Sequence, residues 1–161
     1  MAGDRPIDPE AAAGSPLPGP IDSVAFARGR RELLGRIESD RLGRVVEAGA
    51  ATADGVRWSA VGSTGRDAHD RLREFLTIRV DFTPILRCAR CLEPMTLAPI
   101  AAESRFRFAA TEDQAAREDR EEADCDVIAH DPALDLGALI EDEVLLSLPM
   151  LAAHDQCPDP L

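Results

Sequence analysis

The chain has 161 residues, of which 45% are hydrophobic, and a formal net charge of −12, enough for one globular domain with a buried core and a loose arm. No apolar run approaches the roughly 20 residues that span a bilayer, and the Pro/Gly/Ala-rich N-terminus lacks the apolar stretch of a signal peptide; the expected location is therefore the cytoplasm, where disulfides are rare. All 18 basic residues are Arg; 16 of them stand against 15 acids up to Ala110, and the remainder holds 2 Arg against 15 acids, so the negative charge, which repels a phosphate backbone, belongs to the final third.

Residues 1–20 carry Pro6, Pro9, Pro16, Pro18 and Pro20 among Ala and Gly and read as a flexible arm, with the folded domain over 21–161. Asp22 or Ser23 then caps a helix in which Val24, Ala27, Arg31 and Leu34 share a stripe, with Gly35 as its stop. Ser39-Asp40 opens a second short helix through Leu42, Val45 and Val46, ended by Gly49. From Gly55 the period becomes two: Val56, Trp58 and Ala60 alternate with Arg57, Ser59 and Val61, which predicts a strand with Trp58 in the core. After a loop over 63–73, Leu76, Ile78, Val80 and Phe82 make the clearest strand, leading directly into Cys88. The same period resumes from Met95, placing Ile100, Ala102, Ser104, Phe106 and Phe108 on one face, and Pro99 marks an edge or bulge near its start. The acid-rich stretch near 111–133 has almost no large apolar residue before Asp126 and reads as a solvated loop or frayed helix. Asp135 caps a last helix with Leu136, Leu139, Ile140 and Val144 on one face, stopped before Pro149. The expected fold is α+β: an antiparallel β-sheet, short N-terminal helices, and one C-terminal helix packed on it.

The chemistry-bearing residues are thiols. Cys88 and Cys91, two residues apart, suit a metal, a disulfide or thiol exchange, and each choice needs different company. His154 and Cys157 near the C-terminus complete a tetrahedral set for structural zinc with no position left for a substrate water. A redox pair of the thioredoxin kind opens a helix after a strand, whereas Pro94 and a new strand follow here. Glu141, Asp142 and Glu143, consecutive on a helix, diverge by about 100° each and cannot share one catalytic site; they read as a solvated or partner-facing surface. His69 and His130 read as ordinary loop residues. Arg28, Arg30, Arg31, Arg36, Arg41 and Arg44 form a candidate RNA surface on the first two helices, diluted by Glu32, Glu38, Asp40 and Glu47.

Two blocks carry a resemblance to a known family. Cys88-Ala89-Arg90-Cys91-Leu92-Glu93-Pro94 after a strand is similar to the C-x-R-C-L-E-P signature of the YceD family of large ribosomal RNA subunit accumulation proteins. Leu139-Ile140-Glu141-Asp142-Glu143-Val144-Leu145-Leu146-Ser147-Leu148-Pro149-Met150, followed by His154 and Cys157, resembles that family's acidic helix, Leu-Pro turn and terminal His/Cys pair. Cys125 lies outside the pattern. The resemblance implies a non-enzymatic ribosome-biogenesis factor required for accumulation of large-subunit (23S) rRNA. Its partner would be an rRNA precursor or an assembly intermediate, engaged directly or through a protein; neither membrane nor DNA is expected. The alternatives are an acidic, zinc-clasped adaptor or chaperone for a basic ribosomal protein, and a CxxC thiol-redox protein.

Overall fold

The computed structural model describes residues 17–67 and 69–157. The arm expected over 1–20 lies outside the described residues as far as residue 16; beyond it Leu17 approaches Gly137 and Ile21 bridges to Leu134. The elements are α1 Ser23–Arg28, β1 Glu32–Ile37, α2 Gly43–Glu47 after a 3-10 turn at Ser39–Arg41, β2 Ala51–Arg66, β3 Leu72–Arg87, β4 Pro94–Thr96, β5 Ile100–Ala109, α3 Glu112–Glu118, β6 Asp126–Ala129 and α4 Leu136–Ser147. The α+β class holds. The strands form one sheet in the order β1-β2-β3-β5-β6, with β4 paired to the end of β3. All its pairs are antiparallel except β5 with β6, because α3 carries the chain back before β6 begins, so the sheet is mixed.

The first helix is shorter than its stripe suggests. Asp22 caps it through the Ala25 N–H, but the chain turns at Gly29 and at Arg30, whose φ is 47°, and residues 32–37 pair with Val56–Val61. Leu33, Leu34 and Ile37 are therefore strand residues. Gly35, expected to stop a helix, sits opposite Trp58, where a Cβ would lie 3.0 Å from the indole; the missing side chain lets the ring lie across β1 and also hides the period-two pattern. The second helix starts later than expected, because Ser39–Arg41 form a separate 3-10 turn and α2 opens at Gly43 without a side-chain cap at Leu42, while Gly49 at φ 75° closes it as expected.

The loop expected over 63–73 shrinks to 67–71, because β2 and β3 continue their ladder to Arg66 opposite Leu72. Asp67 organises the reversal: one carboxylate oxygen accepts the His69 and Arg71 N–H groups, and the other accepts the Arg71 and Arg73 guanidiniums, each at 2.9 Å. Burial pushes this carboxyl up, yet the N–H of Arg71 and the guanidinium of Arg73 outweigh that and hold it far below the usual range. His69 lies in this turn, as its neighbours suggest.

One sheet face carries the core. Val56, Trp58, Leu76, Ile78, Val80 and Phe82 meet Phe26, Val45, Leu136, Ile140 and Val144 from the helices, all of them buried. The contact between α1 and β2 is close enough that a Cβ on Gly62 would fall 2.5 Å from the Phe26 carbonyl oxygen. Gly62→Ala must push helix backbone away from strand backbone, and a loss of about 2 kcal/mol is expected, at the middle of the range for overpacked sites; urea unfolding at neutral pH reads it as a lower midpoint with an unchanged slope.

The acidic stretch near 111–133 is ordered rather than a solvated loop: it contains α3 and β6. Thr111 caps α3 through the Gln114 N–H, and Asp119 accepts the Val127 N–H at 2.8 Å. Beneath α3 lies only a small apolar cluster of Ala109, Ala115 and Val127. Charge does more: Glu118 accepts from the buried Arg107 at 2.6 Å and from Gln114 at 2.7 Å, and Glu122 stands 3.5 Å from Arg107. Such a pairing has no apolar periodicity to announce it.

The last helix begins and ends where its residues predict. Asp135 accepts the Ala138 N–H at 2.9 Å, and Leu148 before Pro149 is extended. Glu141 is not solvated, however. It accepts the N–H groups of Arg44 and Val45 at 2.7 and 3.2 Å and the Arg44 guanidinium at 3.0 Å, capping α2, whose own N-cap position is Leu42 and has no side-chain acceptor. Asp142 holds the same guanidinium, and Glu143 is buried.

Candidate metal centre

The end of β3 and the short β4 pair through Arg87 opposite Pro94, so residues 88–93 must reverse the chain within one knuckle. The Cys88 N–H donates to the Glu93 carbonyl at 2.9 Å, the Leu92 N–H donates to the Cys88 carbonyl at 3.0 Å, and Leu92 takes a φ of 64° to close the turn. A left-handed conformation at a leucine is costly. Here it accompanies two buried thiols, Cys88 and Cys91.

After Pro149 the tail runs back across this knuckle. The Ala89 N–H donates to the Ala152 carbonyl at 2.8 Å, and the Arg90 guanidinium donates to the carbonyl of His154. These bonds bring all four predicted ligands together: the donor atoms of Cys88, Cys91, His154 and Cys157 lie within 4.8 Å of one another. The Cys88 and Cys157 sulfurs are 3.8 Å apart, and the Cys91 sulfur is 3.4 Å from His154 Nδ1. A tetrahedral zinc ion with bonds of about 2.3 Å to sulfur and 2.0 Å to nitrogen needs ligand separations of about 3.8 and 3.5 Å. The donor types and these two separations are compatible with such an ion.

The backbone favours charge on one of the sulfurs. Cys88 is pushed down to about 5, first by the N–H of Cys91, then by the N–H groups of His154 and Arg90; the last two reach its sulfur at 3.4 Å. Cys157 is pushed up to about 11 by burial first and by the thiols of Cys91 and Cys88 second. The cluster is thus prepared for one thiolate, and a cation at its centre would stabilise the others. Arg90 is the Arg of the C-x-R-C-L-E-P block, but the sequence carries no sign that it ties the tail.

Other candidate groups do not converge on this point. Cys125 is half-buried, and burial, followed by Glu122, raises its thiol. Ser23 Oγ lies 2.8 Å from His130 Nδ1, but Ser23 is fully buried and also accepts the Asp131 N–H, which ties α1 to the end of β6. Among the arginines proposed as an RNA surface, Arg28 pairs with Glu74, Arg36 stands beside Glu38, Arg44 is held by Glu141 and Asp142, and Arg31 lies over the Phe26 ring. Arg36 moreover sits on β1, so these residues do not form one helical stripe.

Fold and site together define a small α+β protein in which, among the described residues, the convergent group that could hold a metal ion is a Cys/His set where a C-terminal tail meets a hairpin knuckle. The family model of the large ribosomal RNA subunit accumulation protein YceD matches residues 76–161, more than half of the chain, and the chain belongs to that family. Its family supports a general role in ribosome biogenesis. No curated protein and no solved structure matches the chain. Among the described residues no helix is long and apolar enough to cross a membrane.

Proposed function

We propose that this protein is a non-enzymatic, cytoplasmic ribosome-biogenesis factor that sustains accumulation of 23S rRNA by binding an rRNA precursor or assembly intermediate, directly or through a protein. Family membership carries this reading. Within it, Cys88, Cys91, His154 and Cys157 hold a structural zinc ion. Four protein ligands fill a tetrahedral shell, so the ion would supply cross-linking and no open site for water. A CxxC redox role is less well supported, because exchange needs an accessible thiolate and Cys88 is fully buried.

A protein intermediary is favoured over direct contact with RNA by one observation. Arg28 and Arg44, which would face phosphate, are already paired with carboxylates, while the acids concentrate in the final third. The test is the ratio of large- to small-subunit rRNA in cells lacking the protein, with a plasmid-borne copy as control. The expected result is a selective loss of large-subunit rRNA that the plasmid reverses; an unchanged ratio would remove the ribosomal role.

A further inference from the structure

The sheet ends at β6, which pairs with β5 on one side and with no strand on the other among the described residues. The His130 N–H donates to the Ala109 carbonyl of β5 at 2.7 Å, so by alternation Val127, Ala129 and Asp131 turn their backbone groups away from the sheet. Two of these positions are engaged: the Val127 N–H donates to Asp119, and the Asp131 carbonyl accepts the Ser23 N–H at 3.0 Å. Between them, Ala129 turns its N–H and carbonyl outward to no partner among the described residues. Such an edge is a template for another strand. A groove of about 450 Å³ runs along it and is lined from both faces of the sheet. Val127 packs with Ala115 beneath α3, Ile128 packs toward the main core, and both reach the groove; α3 forms one bank and Leu134 belongs to the other.

The charges that line the groove select its occupant. They are the carboxylates of Glu112, Asp119 and Asp131, with no Arg among the lining residues; His130 also lines it, and its Nδ1 is engaged with Ser23. Nearby carboxylates are paired with arginine, as Glu118 and Glu122 are with Arg107. The three in the groove are not: Asp119 and Asp131 each accept one backbone N–H, from Val127 and Ala133, and Glu112 has no partner among the described residues. Successive side chains of an added strand point to opposite faces. On the α3 side they meet Glu112 and Asp119, and on the other Ile128 and Leu134. A segment that alternates Lys or Arg with apolar residues fits both banks. RNA would bring phosphates to three carboxylates, and a second copy would bring the same three against their equals.

We propose that the open edge of β6 is a docking site for an extended segment of a basic protein partner, in which Lys or Arg alternates with apolar residues. The proposal rests on the reading above that the protein acts through a protein partner, and it names the chemistry of that partner. The test titrates the purified full chain with a fluorescently labelled synthetic peptide alternating Lys with Val over about six residues, a common strand length. Anisotropy reads the affinity, and NMR reads hydrogen exchange of the Ala129 amide. Two further probes are a peptide of the same composition with its Lys and Val in separate blocks, and a uridine oligonucleotide. The expected result is saturable binding of the alternating peptide with slowed exchange at Ala129, and binding of the block peptide weaker by about tenfold, the effect of losing one charge-assisted contact. Glu112→Lys, at an exposed position, should weaken the alternating peptide by about the same factor. Ala129→Pro removes the outward N–H, a change an edge strand tolerates, and should do so too. An unchanged thermal melt verifies that the variants fold; if Ala129→Pro does not, Glu112→Lys and the exchange readout decide. Equal binding of the two peptides, binding indifferent to Glu112→Lys, or protection of Ala129 by the oligonucleotide overturns the proposal. So does an Ala129 amide already protected without any probe, as a second copy or another segment of this chain would protect it. Peptide binding is read on purified protein and the rRNA ratio in cells, so the docking edge and the ribosomal role fail separately.

Discussion

Cys88→Ser is expected to reduce bound zinc from one ion per chain to a small fraction of that and to free the tail beyond Pro149. Cys88 is the residue on which the clasp converges: it is fully buried, its sulfur meets Cys157, and it accepts the N–H groups of Arg90 and His154. A serine oxygen is a harder, shorter donor that does not replace a thiolate in a four-ligand zinc site. Elemental analysis of anaerobically purified protein gives the stoichiometry, and hydrogen exchange over residues 150–157 reports the tail. Cys125→Ser is the control, because that thiol lies outside the cluster. The thiols of wild-type protein should resist alkylation until a chelator is added. Absence of stoichiometric metal from the wild type would remove the zinc assignment, whatever the variant does. The core is expected to survive the loss, since its buried residues belong to the sheet and helices rather than to the tail.

Glu118→Ala is expected to cost about 3 kcal/mol at neutral pH, at the low end for removing one partner of a buried ion pair, because Glu122 remains beside the guanidinium. Arg107 is only 5% exposed, and Glu118 gives it its shortest contact. The effect depends on pH with a definite sign. Glu118 titrates below its ordinary value near 4.5, held there by the Gln114 amide first and the Arg107 guanidinium second. Its contribution is therefore complete above that ordinary value and is lost as the pH falls through the lower, folded-state one. The gap between wild type and variant, measured by urea unfolding, should be constant around neutrality and close in acid. A gap that widens in acid, or a variant as stable as wild type at neutral pH, would mean that α3 is held by something other than this pair.

These two sites differ in how openly the residues announce them. The candidate ligand set was legible because metal chemistry constrains residue type and local spacing: Cys88 and Cys91 share a turn, and His154 and Cys157 lie close together in the sequence. The Arg107–Glu118 pair was not. Arg107 alternates with apolar residues along β5 and reads as an outward residue, and Glu118 stands among many acids; only the crossover of α3 over the end of the sheet makes one the partner of the other. The same holds for Glu141, which reads as one carboxylate of a solvated face and instead caps a helix of distant sequence.

By itself, then, the sequence determined the α+β class, the central strands, the capped C-terminal helix with its Leu-Pro stop, the candidate ligands and the family resemblance. Each rests on local periodicity, a local cap or residue chemistry, which neighbouring residues specify among themselves. Only the tertiary structure decided that Glu32–Ile37 is a strand, that the hairpin ladder reaches Arg66, that β6 joins parallel to β5, and that the acidic segment is ordered. In these cases the stabilising partner lies on another element or across a turn, outside the local periodicity. Trp58 covers Gly35, Leu72 pairs with Arg66 across a turn organised by Asp67, and Arg107 holds Glu118. A residue whose conformation is set by such a partner carries little local signal of it, because the free energy that fixes it arises only once the two segments have met.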